Sequence, residues 1–175
     1  MSGVVIRRAG PGDAAALAGV GAATFIESFG HLYVPADLQA FLEESHSIEA
    51  YAAVLSKPDY ALWLAERDGS AIGYVQAGPC GLPHSDVQPG DGELKRLYLV
   101  NSEHNRGIGQ LLFAQALDWL QRDGPRTLWV SVWSENFGAQ RFYGRHGFEY
   151  AGEYAFIVGA QRDREFMYRR TPGPG

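Results

Sequence analysis

Apolar positions recur at helical spacing in the first sixty residues and give way to short β-prone runs after Tyr60. Val4-Val5-Ile6-Arg7 reads as a strand that stops at the turn Ala9-Gly10-Pro11-Gly12. Asp13 is placed to cap a helix whose stripe is Leu17, Val20, Phe25 and Phe29, ending at Gly30. Pro35-Ala36-Asp37 opens a second helix with Leu38, Phe41 and Leu42 on one face. Ser47 to Leu55 predicts a third, closed by Pro58. Ala61 to Ala65 and Ile72 to Val75 are strands joined by Asp68-Gly69, a hairpin signal. Residues 78–92 lack apolar periodicity and predict a loop. Glu93 to Val100 is a strand, and Gly107 to Arg122 carries Ile108, Leu111, Leu112, Ala116, Trp119 and Leu120 at helical spacing. Thr127 to Trp133 is strongly β-prone, Glu135 to Arg145 helical, and Glu149 to Val158 and Glu165 to Arg169 are two last strands.

An early hairpin and later βαβ units predict an α/β (α+β) fold. Its core is a mixed, mostly antiparallel, twisted sheet of about six to seven strands flanked by helices. With 175 residues and no internal repeat, a single domain over 1–170 is expected, and Thr171 to Gly175 reads as a disordered tail.

Charge narrows the partners. Fifteen Lys and Arg against twenty Asp and Glu give −5, the wrong balance for gripping phosphate backbones, so nucleic acid is not expected. A lone cysteine, Cys80, excludes a disulfide framework and a Cys-rich zinc site. The histidines show no metal-ligand spacing, so no metal is expected. Cys80 and His84 lie four apart in a Gly/Pro loop with no oxyanion device, which reads as a bystander pair. Met1 to Gly10 has no apolar signal segment, and no run approaches the ~20 apolar residues of a membrane span. The expectation is a cytoplasmic protein with no membrane partner.

About one residue in eight is glycine, against a typical ~7%. The informative ones lie in Asn105-Arg106-Gly107-Ile108-Gly109-Gln110-Leu111, between a strand and the best helix. Glycine lets backbone approach a ligand, and the first helical turn offers unpaired N–H groups and partial positive charge, together an anion site. The stretch is not a dinucleotide fingerprint, since Leu112 stands where a third glycine belongs, and no Gly-Lys pair exists for a P-loop. A glycine-tight turn that binds nothing has the same local sequence.

The surroundings decide between these readings. Leu97-Tyr98-Leu99 followed by His104-Asn105-Arg106-Gly107-Ile108-Gly109 resembles the first signature of the GNAT superfamily of acetyl-CoA-dependent N-acetyltransferases, a strand then Arg/Gln-x-x-Gly-x-Gly/Ala. Asn136-x-x-Ala139-x-x-Phe142-Tyr143-x-x-x-Gly147-Phe148 resembles the second. The resemblance covers residues 4–170 and implies that family's acyl-CoA fold, with acetyl-CoA as co-substrate. It assigns CoA contact to Leu97, Tyr98, Leu99, His104, Asn105, Arg106, Gly107, Ile108, Gly109, Gln110 and Asn136. His104 departs from the family's Arg or Gln, which implies altered side-chain contact while main-chain donors persist.

Acetyl transfer needs a neutral amine, donors for the oxyanion and a proton for the departing thiolate. The resemblance makes Tyr143 the general acid at the CoA sulfur, where a bare Phe-Tyr pair would read as core aromatics. It offers Glu93, at the start of the central strand, as the base; the position reads equally as an exposed strand-end carboxylate. The resemblance further implies a bulge in that strand and a splay between two strands, so that pantetheine pairs with Leu97 to Leu99 and a main-chain N–H near Leu99 meets the oxyanion.

Thr24-Phe25-x-Glu27-Ser28-Phe29, Arg96-Leu97-Tyr98 and Phe156-x-Val158-Gly159 are also similar to small bacterial spermidine/spermine acetyltransferases. A polyamine would be attracted by Glu27, Asp37, Glu43, Glu44 and Glu93 if they faced the cleft, with Phe29 beside Glu27 as a contact. The alternatives are protein N-termini, amino acids or xenobiotic amines as acceptors, or a non-catalytic acyl-CoA-binding regulatory module. Homodimers are frequent in the family, though the chain shows no interface pattern of its own.

Overall fold

The computed structural model describes residues 3–173. Among these, seven strands form one sheet: β1 (Val4–Arg8), β2 (Ala61–Arg67), β3 (Ser70–Pro79), β4 (Gly92–Leu99), β5 (Leu128–Trp133), β6 (Glu149–Val158) and β7 (Gln161–Arg170). Their spatial order is β1-β2-β3-β4-β5-β7-β6. Five helices flank it: α1 (Ala14–Phe29), α2 (Pro35–Ser45), α3 (Ile48–Leu55), α4 (Ile108–Leu120) and α5 (Phe137–Arg145). Only β4 and β5 pair in parallel, joined through α4. The expected mixed, mostly antiparallel sheet is what forms. The tail expected at 171–175 falls partly outside the described residues, and 171–173 form neither helix nor strand.

The unbroken apolar run of β2 is explained by helices on both faces. Leu62 and Leu64 pack with Leu17 and Val20 of α1 and Tyr51 of α3. Their neighbours Ala61, Trp63 and Ala65 face the other way, onto Ile108, Leu112, Phe113, Ala116 and Leu120 of α4. Each fully buried side chain of this size contributes ~1.5–3 kcal/mol. A third cluster of Phe25, Tyr33 and Val158, with Phe29, Phe41 and Phe156 against it, ties α1 and α2 to β6.

Local chemistry sets the joints. Asp68 (φ 52°) and Gly69 (φ 81°) make the β2–β3 turn with two positive φ values, as the hairpin signal predicts. Ser47 caps α3 by accepting from the Ala50 N–H at 3.1 Å. β7 begins four residues before the expected strand at Glu165. Gly159 (φ 57°) closes a tight turn, and Val158 pairs with Gln161, so the ladder holds a polar segment that has no apolar pattern.

Two irregularities open the sheet. Opposite β3, Gln76 pairs with Arg96 but Ala77 pairs with Leu94, which leaves Lys95 as the extra residue of a bulge in β4. On the other edge, β4 and β5 pair only from Gly92/Leu128 to Leu94/Val130, although both strands continue. Beyond Leu94 they splay.

Candidate active site

The splay leads into a cavity of about 210 Å³. Its floor is Leu94 to Tyr98 of β4 and Val130 to Trp133 of β5. Asn136 and Tyr143 of the α5 segment close one side, and Phe29, Tyr33 and Phe41 the helical side. Tyr154 and Phe156 of β6 and Asp163 and Glu165 of β7 complete the wall. Phe29 lies edge-on to Trp133, with centroids 5.5 Å apart, and 6.4 Å from Tyr98.

Tyr143 is 6% exposed and packs near Phe148 and Phe113, with centroids 5.8 and 6.3 Å away. Its hydroxyl has no hydrogen-bond partner among the described residues. Burial, and then Tyr98, hold its pKa well above the ordinary tyrosine value, so it stays protonated. Asn136 Oδ1 accepts from the Ala139 N–H at 3.1 Å, which makes this cavity residue the cap of α5.

At the start of α4, Asn105 (φ 64°) and Gly107 (φ 81°) are both left-handed, a backbone path that aligns successive N–H groups. Leu111 N–H bonds the Gly107 carbonyl at 3.3 Å, so the N–H groups of Ile108, Gly109 and Gln110 precede the first intrahelical bond. The Ile108 side chain is buried in the core, which leaves its main chain for a ligand. His104 Nε2 lies 2.9 Å from the Leu99 carbonyl, and Gln110 Oε1 lies 2.9 Å from His146 Nε2. Arg106 is exposed. An exposed helix N-terminus with left-handed entry, next to a splayed strand edge, fits a pyrophosphate followed by an extended thioester arm.

The acids are arranged differently from the sequence expectation. Glu93 is 6% exposed rather than a solvated strand end, and its Oε1 accepts from Lys95 Nζ at 2.9 Å and Gly81 N–H at 3.0 Å. It is absent from the cavity wall. Glu27 accepts from the Asn101 N–H at 3.2 Å, Asp37 from the Ala160 N–H at 3.2 Å, and Glu43 from Gln39 Nε2 at 2.9 Å. Glu27, Glu43 and Glu44 lie on outward helix faces, so none of the five acids named from the sequence lines the cavity; Phe29 does.

Two other carboxylates take that place. Asp163 Oδ2 accepts from the Tyr33 hydroxyl at 2.6 Å, and Oδ1 from Gln161 Nε2 at 2.9 Å. Glu165 has no hydrogen-bond partner among the described residues, and burial followed by the charge of Asp163 pushes its pKa up to about 7. Their sequence signal was two acids two residues apart, on one face of the strand that begins at Gln161. Arg96, also in the wall, donates to the Tyr51 hydroxyl at 2.9 Å and the Ser45 carbonyl at 3.3 Å, with no carboxylate in ion-pair range among the described residues. Burial pushes the Cys80 thiol up to about 11, which disfavours the thiolate at neutral pH. No group of three or more metal-ligating side chains is assembled among the described residues, nor is any helix there long and apolar enough to cross a membrane.

The chain is similar to known proteins. The model of the acetyltransferase (GNAT) family matches residues 26–148. An uncharacterised N-acetyltransferase of Mycobacterium tuberculosis is 32% identical over 162 residues, 90% of this chain and 97% of that one. Another, from Lactobacillus delbrueckii subsp. lactis, is 27% identical over 171 residues, 98% and 99% of the two chains. The crystal structure of PaiA N-acetyltransferase from Thermoplasma acidophilum in complex with coenzyme A superposes with a TM-score of 0.76 at 20% identity, covering 97% of this chain and 99% of that one. The chain belongs to the GNAT family of acetyltransferases. Within that class it is an acetyl-CoA-dependent N-acetyltransferase.

Proposed function

We propose that the chain transfers acetyl from acetyl-CoA directly to the primary amine of a small molecule held in the cavity, with a polyamine such as spermidine or spermine as the first acceptor to test. The observation that carries this reading is the meeting, in one cavity, of the unpartnered Tyr143 hydroxyl and the carboxylates of Asp163 and Glu165. An ammonium is attracted by those carboxylates and by the faces of Phe29, Tyr98 and Trp133. The bound co-substrate supplies an activated acyl group, so the chain needs no covalent nucleophile.

In this reading the main chain of residues 104–110 holds the pyrophosphate, and Asn136 and the free edge of Leu97 to Leu99 hold the pantetheine arm. A main-chain N–H near Leu99 meets the oxyanion. Tyr143 gives its proton to the sulfur. One observation favours a second acceptor class: Arg96 in the cavity wall, without a carboxylate partner among the described residues, suits an amine that also carries a carboxylate, as amino acids do.

The test is release of free thiol from acetyl-CoA with a panel of polyamines, amino acids, N-terminal peptides and xenobiotic amines. Turnover with polyamines supports the first reading, and turnover confined to carboxylate-bearing amines supports the second. Tight coenzyme A binding with silence across every amine overturns both and leaves a regulatory binder.

A further inference from the structure

Glu165 is a carboxylate of the cavity wall that has no hydrogen-bond or ion-pair partner among the described residues. Asp163 is engaged by Tyr33 and Gln161, Glu93 is neutralised by Lys95, and Tyr143 is assigned to the sulfur. The strand register places Glu165 opposite Trp133 on β5 and Tyr154 on β6, at the mouth of the splay. A carboxylate partly buried there, with no hydrogen-bond or ion-pair partner among the described residues, raises the free energy of the folded chain when ionised, a cost that points to a function. From this placement we infer that Glu165 is the group that takes the proton from the acceptor's ammonium, in the role that the sequence offered to Glu93. The inference rests on the reading that the cavity holds the acceptor amine.

The step balances as follows. The acceptor enters as R–NH3⁺, and Glu165 takes one proton and leaves a nitrogen lone pair. That pair forms the C–N bond to the acetyl carbon and gives a tetrahedral oxyanion, whose collapse restores the carbonyl and breaks the C–S bond. Tyr143 protonates the departing sulfur and recovers a proton from the nitrogen as the amide forms. Glu165 returns its proton to water, so one proton is released per acetyl transferred. Burial holds the carboxyl near pH 7, where it is partly ionised at rest yet basic enough to accept a proton. The titratable groups around it are Asp163 on its own strand, Tyr98 on β4, Tyr154 on β6 and Tyr33 after α1. Burial raises all three tyrosines above their ordinary value, so Asp163 is the neighbour whose charge tunes Glu165 near neutrality.

The experiment compares wild type, Glu165→Gln and Glu93→Gln with the best acceptor of the panel, measuring kcat, KM and pH dependence. Wild-type kcat/KM rises with pH through about 7. Glu165→Gln lowers kcat by about 10²–10⁴-fold, abolishes that limb, and recovers rate toward pH 10 as the amine becomes neutral in solution. Coenzyme A affinity, read by calorimetry, stays within about twofold and certifies the fold. The inference is overturned if Glu165→Gln keeps the limb with kcat within about threefold, or changes only the KM for the amine. It is overturned equally if the limb is lost in Glu93→Gln instead. A variant that fails to bind coenzyme A is replaced by a wild-type measurement with a weakly basic amine already neutral at pH 7. Loss of the limb there supports the inference, and its persistence overturns it. Silence of the wild type toward every amine overturns the functional reading and is distinct from all these outcomes.

Discussion

The imidazole Nε2 of His104 lies 2.9 Å from the carbonyl oxygen of Leu99, five residues back at the end of β4. The contact ties the proposed pyrophosphate turn to the strand edge proposed to pair with the thioester arm. His104 therefore holds the backbone of the turn against the end of β4. His104→Ala removes one neutral hydrogen bond worth ~1 kcal/mol, so coenzyme A affinity measured by calorimetry falls about fivefold. His104→Arg retains binding, since the N–H groups of Ile108 to Gln110 are untouched. An affinity unchanged in the alanine variant contradicts the positioning role.

Gly73 on β3 faces Leu99 on β4 at a distance that admits no side chain. An added Cβ would overlap the Leu99 side chain and lie 2.8 Å from the Tyr98 carbonyl oxygen, which cannot swing aside. Gly73→Ala forces β3 and β4 apart next to the splay. Overpacking of this kind costs ~1–3 kcal/mol and lowers Tm by roughly 2–12 °C for a chain of this size. The KM for acetyl-CoA rises with it, because Leu97 to Leu99 are displaced. Calorimetric unfolding and initial rates check the two effects separately.

Local rules made much of the fold legible. Asp68-Gly69 announces its hairpin, and the 3.6-residue stripe from Ile108 to Leu120 announces α4. The turn proposed to hold the co-substrate was legible because glycine is needed where φ is positive, at Gly107. The proposed acceptor side was not, because it is built from distant segments. No residue type marks the bulge at Lys95, whose ammonium pairs with Glu93 and withdraws it from the cavity. Glu27, Glu43 and Glu44 sit on solvated helix faces, the ordinary fate of such residues. Asp163 and Glu165 reach the cavity only because Gly159 folds β7 back along β6 and lays it against β5.

The proposed proton donor Tyr143 offers a clean substitution. Phenylalanine keeps the ring that packs on Phe113 and Phe148 and deletes only the hydroxyl. Because that hydroxyl has no partner among the described residues, stability changes little. Tyr143→Phe is expected to lower kcat about 10²-fold with KM for acetyl-CoA within about twofold. Rapid-quench single turnovers isolate the chemical step, and a variant that turns over at the wild-type rate removes Tyr143 from the mechanism.

Two groups shifted by burial, one fully and one partly buried, push stability in opposite directions with pH. His46, held down to about 3 by burial and then by Arg96, stays neutral in the fold while the unfolded chain binds a proton below the ordinary 6.5. Between these values the unfolded state holds more protons, so stability falls as pH falls. Glu165 is raised from the ordinary 4.5 to about 7, so between those values the folded state holds the extra proton and stability falls as pH rises. The two slopes oppose each other between pH 4.5 and 6.5 in the wild type. Glu165→Gln removes one of them. Urea unfolding of the variant is therefore expected to match wild type near pH 4 and to exceed it by ~1–3 kcal/mol at pH 8, with stability now rising steadily across the interval. Equal stabilities at pH 8 mean that Glu165 ionises in the fold without penalty, which removes the physical basis for its poise near neutrality.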